Sequence, residues 1–501
     1  HIAVGFAALV VACGATPVAR RSPAVAIGKK RTVAVAPPKN ASSFWHGLVL
    51  SYDPDLKPAL LPIDEADLVR EQGAAAQYAR LKESDRALLL RDGFVLVPTG
   101  RARIGAFYTD LEEGGVPILL TVDAFAELAH LGISAAIAEA DTAAEKPALE
   151  EWLTRVEARL ASERKNAPSD LIAAYKVALG FVAVARSLDD DAYVPPADVA
   201  GLVTKEKSAI AAHASVAKSP LFGVPVDYRA YPTNPGRRFR AWLALAPFSF
   251  GNGESDRPKL DVSKVRTATK AALLLARASD PRVDARAAAA YDRARTIEVF
   301  FAGTSDDPNL RDLGALAPKA RIDLTDGSTI AKIVRVDALR VLARETWSAK
   351  LLQGEVGGCA LRVLGSPAPP DGVAMQLLVA PSVPLRFMPS GLDVAAWLGS
   401  EEARRAITAR GDDKLAGYDR AMTTLFATRP NDPHASLYAS ALDAVGTMLA
   451  PSVSTSACPG ARTHAMRTAA LDSALASWTT FRSDFSGVRT RLANAPAMPQ
   501  E

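Results

Sequence analysis

Between Leu171 and Ala185 the chain is apolar on nearly every side. A helix of that kind has no face left for water, so other elements must surround it. The neighbouring sequence supplies them. Pro147–Ser162 opens with a proline suited to a first helical turn and sets Leu149, Trp152, Leu153, Val156 and Leu160 on one face. Helical spacing recurs over Val262–Ala278, Arg286–Phe301, Thr329–Thr346, Leu392–Thr408, Leu415–Ala427 and Ser436–Leu449. A long last helix, about Thr463 to Leu492, carries Met466, Leu471, Leu475, Trp478, Phe481, Phe485, Val488 and Leu492 as one core stripe. Alanine, the best helix former, is abundant throughout.

Strand signals are few. Asp92-Gly93 reads as a turn into Phe94–Pro98, and Gly115–Thr121 and Gly372–Val379 read as short β segments. The expected fold is therefore mainly α with a few short strands, a minor α+β component. One large helical domain should fill residues 44–493, with 494–501 a tail. Helix pairs around a central axis suit this pattern, and two lobes parting near the Gly251–Ser255 loop are an option.

The beginning of the chain carries a different signal. Residues Ile2–Ala12 are uncharged and almost wholly apolar, too short to span a bilayer but right for the apolar region of a signal peptide. They run into Val10-Val11-Ala12-Cys13-Gly14, which resembles a bacterial lipobox. Ala12 is small enough for a peptidase to approach, and the Cys13 thiol is the group that is lipidated. By analogy, glycine after the cysteine favours delivery to the outer membrane. The competing reading is a buried strand or helix ending in an ordinary core cysteine. Residues 14–43 hold Pro17, Pro23, Pro37 and Pro38 with six basic residues and no acidic one. Such a stretch serves as a tether, and its charge is drawn to anionic headgroups. The expected address is the cell envelope, with a lipid anchor in the membrane. Export would also place Cys359 and Cys458 in an oxidising compartment, where they either bridge or stay as buried thiols.

Net charge is +4 over 501 residues, which makes no electrostatic case for nucleic acid. No cofactor is evident. P-loop, Gly-x-Gly-x-x-Gly, His-Glu-x-x-His and Gly-x-Ser-x-Gly patterns are missing, and the six histidines are scattered. Ser215-x-x-Lys218 matches a penicillin-recognising pattern, but so does Ser162-x-x-Lys165, and no Lys-Thr-Gly follows.

Several short segments occur in an order that resembles domain of unknown function 3160, a family of bacterial and archaeal proteins. They are Asp92–Val97, Val116–Asp123 running on to His130, Arg238–Trp242, Ser305–Asp307, Met388–Asp393 with Leu398–Ser400, and Leu475–Trp478 with Arg482 and Asp484. The resemblance brings no established activity. It also shows departures. Where the family pattern has two histidines three residues apart, this chain has Glu127 and His130. An Arg-His-Asp triplet is here Arg482-Ser483-Asp484. The stretch Tyr231–Arg237 lacks the histidine that usually precedes Phe-Arg-Ala, and Gly365-Ser366-Pro367 stands for Gly-Gln-Arg. Four polar clusters have thinned in one chain.

Asp123, Glu127 and His130 sit at i, i+4 and i+7, one helical face, and their types suit a divalent metal or an acid/base pair. The bland alternative is a cap at Asp123, a first-turn acid and a satisfied histidine. Glu127, His130 and Asp484 are the catalytic candidates. Arg240, Arg482, Asp306 and Asp307 are candidates for holding a ligand, with surface pairing as the plainer reading of the basic Arg237–Arg240 cluster. Asp189–Asp191 lacks the spaced ligands of a calcium loop and reads as a solvated turn. The favoured role is a non-catalytic envelope lipoprotein that binds an envelope partner or ligand or acts as a scaffold. The rival is a hydrolase, possibly metal-dependent, acting on an envelope or extracellular polymer.

Overall fold

The computed structural model describes residues 7–11, 31–34, 49–52, 62–69, 72–98, 104–113, 122–213, 215–249, 262–305, 307–333, 360–365, 367, 369–386, 388–427, 432, 434–449 and 464–488. Cys13, Cys359, Cys458, Asp306, the Gly115–Thr121 segment and the Gly251–Ser255 loop lie outside them. The fold is mainly α, as the sequence predicts: helix takes 72% of the described residues.

The chain divides into two compact units, one from His1–Phe125 and Ala450–Ser473, the other from Ala126–Leu449 and Ala474–Glu501. The division falls at Phe125, not near Gly251. In the smaller unit, strands β1 (Ala7–Val11) and β4 (Phe94–Pro98) pair antiparallel, as do β2 (Arg31–Ala34) and β3 (Val49–Tyr52). Helices α1 (Glu65–Leu68), α2 (Gln72–Arg80), α3 (Glu83–Asp92) and α4 (Ile104–Glu113) accompany them. Tyr78, Leu89 and Val95 form a small core that Leu68, Leu81, Leu90 and Val97 enlarge. Gly93 ends α3 in the left-handed conformation (φ 81°), the turn anticipated at Asp92-Gly93. Two strands fall where a leader and an irregular tether are expected: Ala7–Val11 lies inside the leader, Arg31–Ala34 inside the tether.

Helix α5 (Val122–Ala140) runs through a π-turn (Asp141–Glu145) into α6 (Lys146–Arg164) without a break. Then follow α7 (Ser169–Asp189), α8 (Ala197–Ala212), the hairpin β5 (Val216–Lys218) and β6 (Pro225–Asp227), and α9 (Arg238–Leu245). Next are β7 (Phe248–Ser249), α10 (Val262–Ala278), α11 (Ala285–Ala302), α12 (Leu310–Leu316) and α13 (Gly327–Ala331). Strand β8 (Ala360–Leu361) pairs with β7. It is followed by α14 (Pro370–Leu377), α15 (Gly391–Leu398), α16 (Glu401–Arg410), α17 (Tyr418–Ala427), α18 (Leu437–Leu449) and α19 (His464–Val488).

Helix α7 is central, as its sequence requires. It packs against α6, α8, α9 and α10. It is long and apolar enough to cross a membrane by length and composition, and 67% of its apolar window is buried inside the fold. Leu149, Trp152, Leu153, Val156 and Leu160 of α6 are all buried on the expected face. Phe181 of α7 meets Trp242 of α9 at 5.6 Å between ring centroids, and Phe222 stacks on Trp242 at 5.8 Å. The Trp242 indole donates to the Phe181 carbonyl (3.0 Å), so the ring buries its one polar atom with a partner.

Several expectations change, among them Leu392–Thr408, which is two helices, α15 and α16, parted at Gly399 (φ 113°) and Ser400. Gly372–Val379 reads as strand, but Gly372–Leu377 belongs to helix α14, with Leu378 and Val379 in the turn that follows. Its residues are almost continuously apolar, so periodicity cannot separate the two, and Pro370 in the first turn tips it to helix. Asp123 lies within the first turn of α5 rather than capping it. Phe125, Leu128 and Leu131 stand at helical spacing on α5, and they are 57%, 59% and 57% exposed. Spacing shows which residues share a face, not what covers it.

Candidate functional site

Family-like segments are drawn together in the larger unit by backbone contacts between α9, the stretch after α11 and the stretch after β8. Leu364 donates its N–H to the Leu243 carbonyl (3.1 Å), and Arg362 donates to the Pro308 carbonyl (3.0 Å). Ser305 pairs with Pro367. Gly365 has φ 74°, and a β-carbon there would lie 2.4 Å from Ser305 Oγ, so only glycine allows this approach. The Arg362 guanidinium holds Asp307, which is buried. Tyr291 anchors the same stretch by donating to the Val363 carbonyl.

Arg240, on α9, reaches both acids of the π-turn, Asp141 and Glu145 (3.1 Å to the latter). Glu145 is 3% exposed, so the arginine neutralises a charge that burial alone would penalise. A π-turn wastes one helical hydrogen-bond register, and here it turns two acids towards a single cation.

The C-terminal network centres on a fully buried acid. Asp371, 0% exposed in α14, accepts from the Tyr438 hydroxyl of α18 (2.7 Å), the Trp478 indole of α19 (2.9 Å) and the Arg482 guanidinium of α19. Its other oxygen accepts from the Gly372 N–H (2.9 Å). Burial works against the Arg482 charge, but Asp371 and Tyr438 more than offset it and hold the guanidinium protonated above its ordinary range. Burial, then Asp371, pushes the Tyr438 hydroxyl well up.

Nearby in sequence, the Met388–Asp393 segment builds a second buried pair. Arg386 donates to Asp393 (2.8 Å) and to the Leu378 carbonyl (3.0 Å), and the Tyr418 hydroxyl donates to Asp393 (2.9 Å). Gly417 (φ 87°) lets this corner close: a β-carbon there would lie 2.4 Å from the Ser382 carbonyl oxygen.

Glu206, on α8, is 0% exposed and accepts from three neutral donors: the Tyr228 hydroxyl (2.7 Å), the Ser219 hydroxyl (2.8 Å) and the Leu221 N–H (3.0 Å). Burial raises its pKa, against the pull of those hydrogen bonds. Burial, then Glu206, pushes Tyr228 up in turn.

Glu127 and His130 are half-buried on α5, and the side chains of Asp123 and Asp484 are outside the described residues. Among the described residues, no three His, Cys, Asp or Glu side chains are grouped to hold a metal. Of the ligand candidates, Arg240, Arg482 and Asp307 each hold an internal partner. Asp189 pairs with Lys146 (2.9 Å) and Asp191 with Lys207 (3.6 Å), consistent with a solvated turn. The sequence reading missed Asp371, Arg362, Glu145, Arg386 and Glu206. The π-turn acids, four residues apart, carried a local hint; the others carried none.

A groove of about 720 Å³ runs along α6, with Glu151, Thr154, Arg155, Arg159 and Ser162 in its wall and Asp284 opposite. That volume is within the roughly 300–1,000 Å³ typical of ligand sites. Its charges are paired too: Arg155 with Glu151 (3.2 Å) and Arg159 with Glu163 (3.1 Å).

No curated protein and no solved structure matches the chain. The profile described as "Protein of unknown function (DUF3160)" matches residues 82–485, a span that contains every buried network described above. With most of its length covered, the chain belongs to the DUF3160 family.

Proposed function

We propose that this is an exported, lipid-anchored envelope protein whose body binds a partner or ligand rather than catalysing a reaction. The observation that carries the binding role is the mutual neutralisation of the charged groups on its family segments. Arg482 is held by Asp371, Arg240 by Asp141 and Glu145, Arg362 by Asp307, and Arg386 by Asp393. A catalytic acid, base or metal ligand must exchange a proton or a ligand during turnover. A buried ion pair resists both, because breaking it strands a charge in a poor solvent. These networks hold helices in place, and the α6 groove is a concave surface, among the described residues, that a ligand could enter.

The address rests on the apolar Ile2–Ala12 run into Cys13 and the basic, proline-bearing stretch behind it. Labelling of the cell-grown protein with a fatty-acid analogue tests it. Wild type should take label and fractionate with membranes, and Cys13→Ala should lose both; label retained by Cys13→Ala overturns the anchor.

The rival hydrolase reading draws on Glu127 and His130, which share one face of α5. Purified protein assayed on envelope polysaccharide and peptidoglycan should show no turnover that Glu127→Gln and His130→Ala abolish. Turnover lost in both variants would reverse the assignment.

A further inference from the structure

The chain's start has two competing uses. Read as sequence, Ile2–Ala12 is a leader to be removed. In the structure its Ala7–Val11 segment is β1, paired with β4 in the register Ala7↔Pro98, Leu9↔Leu96 and Val11↔Phe94. Val95 of β4 is 3% exposed and packs on Tyr78 and Leu89, so one face of β4 is tied to the small core. One edge is tied to β1, and among the described residues β4 pairs with no other strand.

Lipoprotein processing hydrolyses the Ala12–Cys13 peptide bond, with water supplying the new carboxylate on Ala12 and leaving the amine on Cys13. That bond lies one residue beyond the last rung of the β1–β4 ladder. Removing the leader therefore strips β4 of β1, and among the described residues no other strand pairs with it, so the N–H and C=O groups that faced β1 lose that partner. An apolar open edge is a template for another strand.

We infer that the β4 edge is a docking site for an extended, uncharged apolar segment of a partner protein, filled in the precursor by the chain's own leader. This rests on the lipid-anchor reading, since only a processed chain has the edge free. The strand seated there has the sequence Ala-Ala-Leu-Val-Val, uncharged and apolar throughout. Main-chain hydrogen bonds would give the affinity and alternate side chains the selectivity, the pattern of strand addition. Pro98, which has no N–H, limits the ladder at one end.

The test uses the processed chain, residues 13–501 with Cys13→Ser, and a lysine-flanked peptide of residues 6–12 as probe. Hydrogen exchange should show the amides of β4 open in the protein alone and protected with peptide. The same peptide with proline at the Val10 position should bind roughly tenfold or more weakly, because it lacks a ladder donor and clashes in the strand. Changing the peptide leaves the protein's fold untouched. Protection of β4 without peptide, or equal binding of the proline peptide, overturns the inference. So does a concentration-dependent dimer that protects β4, which would assign the edge to a second copy of this chain. Mass spectrometry of the native N-terminus tests the processing separately: an attached leader defeats the anchor, whereas a removed leader with a closed edge defeats only the docking site.

Discussion

Asp371 and Glu206 are both 0% exposed, yet the fold compensates them in opposite ways. Asp371 has a guanidinium and is held from two other helices, α18 and α19. Glu206 has no cation among its hydrogen-bond partners and relies on two hydroxyls and one backbone N–H. The first arrangement keeps charge in place by opposing it. The second leaves the carboxyl with a raised pKa, so its charge is negotiable. A network of the first kind is rigid and costly to break. One of the second kind can respond to pH without losing its geometry. The contrast also separates their uses: Asp371 clamps α14, α18 and α19 together, while Glu206 fixes α8 to the β5–β6 hairpin region.

The sharpest way to break the comparison is Arg482→Met. It leaves Asp371 buried without a counter-charge, and stability should fall by about 3–5 kcal/mol in urea unfolding. The double variant Asp371→Leu/Arg482→Met should recover part of that loss, because the stranded charge is gone; no recovery would show that packing, not charge, dominates there.

Trp478→Phe removes one donor from Asp371 and keeps the ring bulk. A hydrogen bond to a charged acceptor is worth about 1.5–3 kcal/mol, and the loss should fall in that range by thermal unfolding. Ser219→Ala removes one donor from Glu206. It should cost less, about 1 kcal/mol, because Glu206 can take up a proton when a donor is lost. Equal losses at the two sites would mean that both acids are equally committed to their charge.

Glu206→Gln should have the smallest effect near neutrality, about 1 kcal/mol or less, but should change the pH profile. The folded pKa of Glu206 lies above its unfolded value, so the folded state holds the proton more tightly. The corresponding stability is fully present below the ordinary glutamate range and is lost as pH rises through the folded value. Glutamine carries no such proton. Unfolding followed from pH 4 to 8 should show a shallower decline in the variant than in wild type, and parallel curves would remove Glu206 from the account.

Much of the helical framework was legible from the residues. Val262–Ala278 is helix α10 over the whole expected stretch, and α6 buries its five predicted side chains. The site was half legible. Arg240, Arg482 and Asp307 stand out as charges beside apolar or aromatic motif residues, but their partners lie 99, 111 and 55 positions away. A carboxylate such as Asp371 carries no local mark of being buried; in sequence it is an acid at the edge of a stretch that reads as strand.

What the sequence determined alone is local: which stretches must be helix, that Leu171–Ala185 must be surrounded, and that a thiol follows a short apolar run. Each depends on near neighbours and on the spacing of apolar side chains. What only the tertiary structure decided is partnership: which acid each arginine meets, that Gly372–Leu377 becomes helix, and that Ala7–Val11 pairs with β4. Those outcomes depend on segments brought together across long stretches of chain, where burial sets the worth of every charge and every unpaired backbone group.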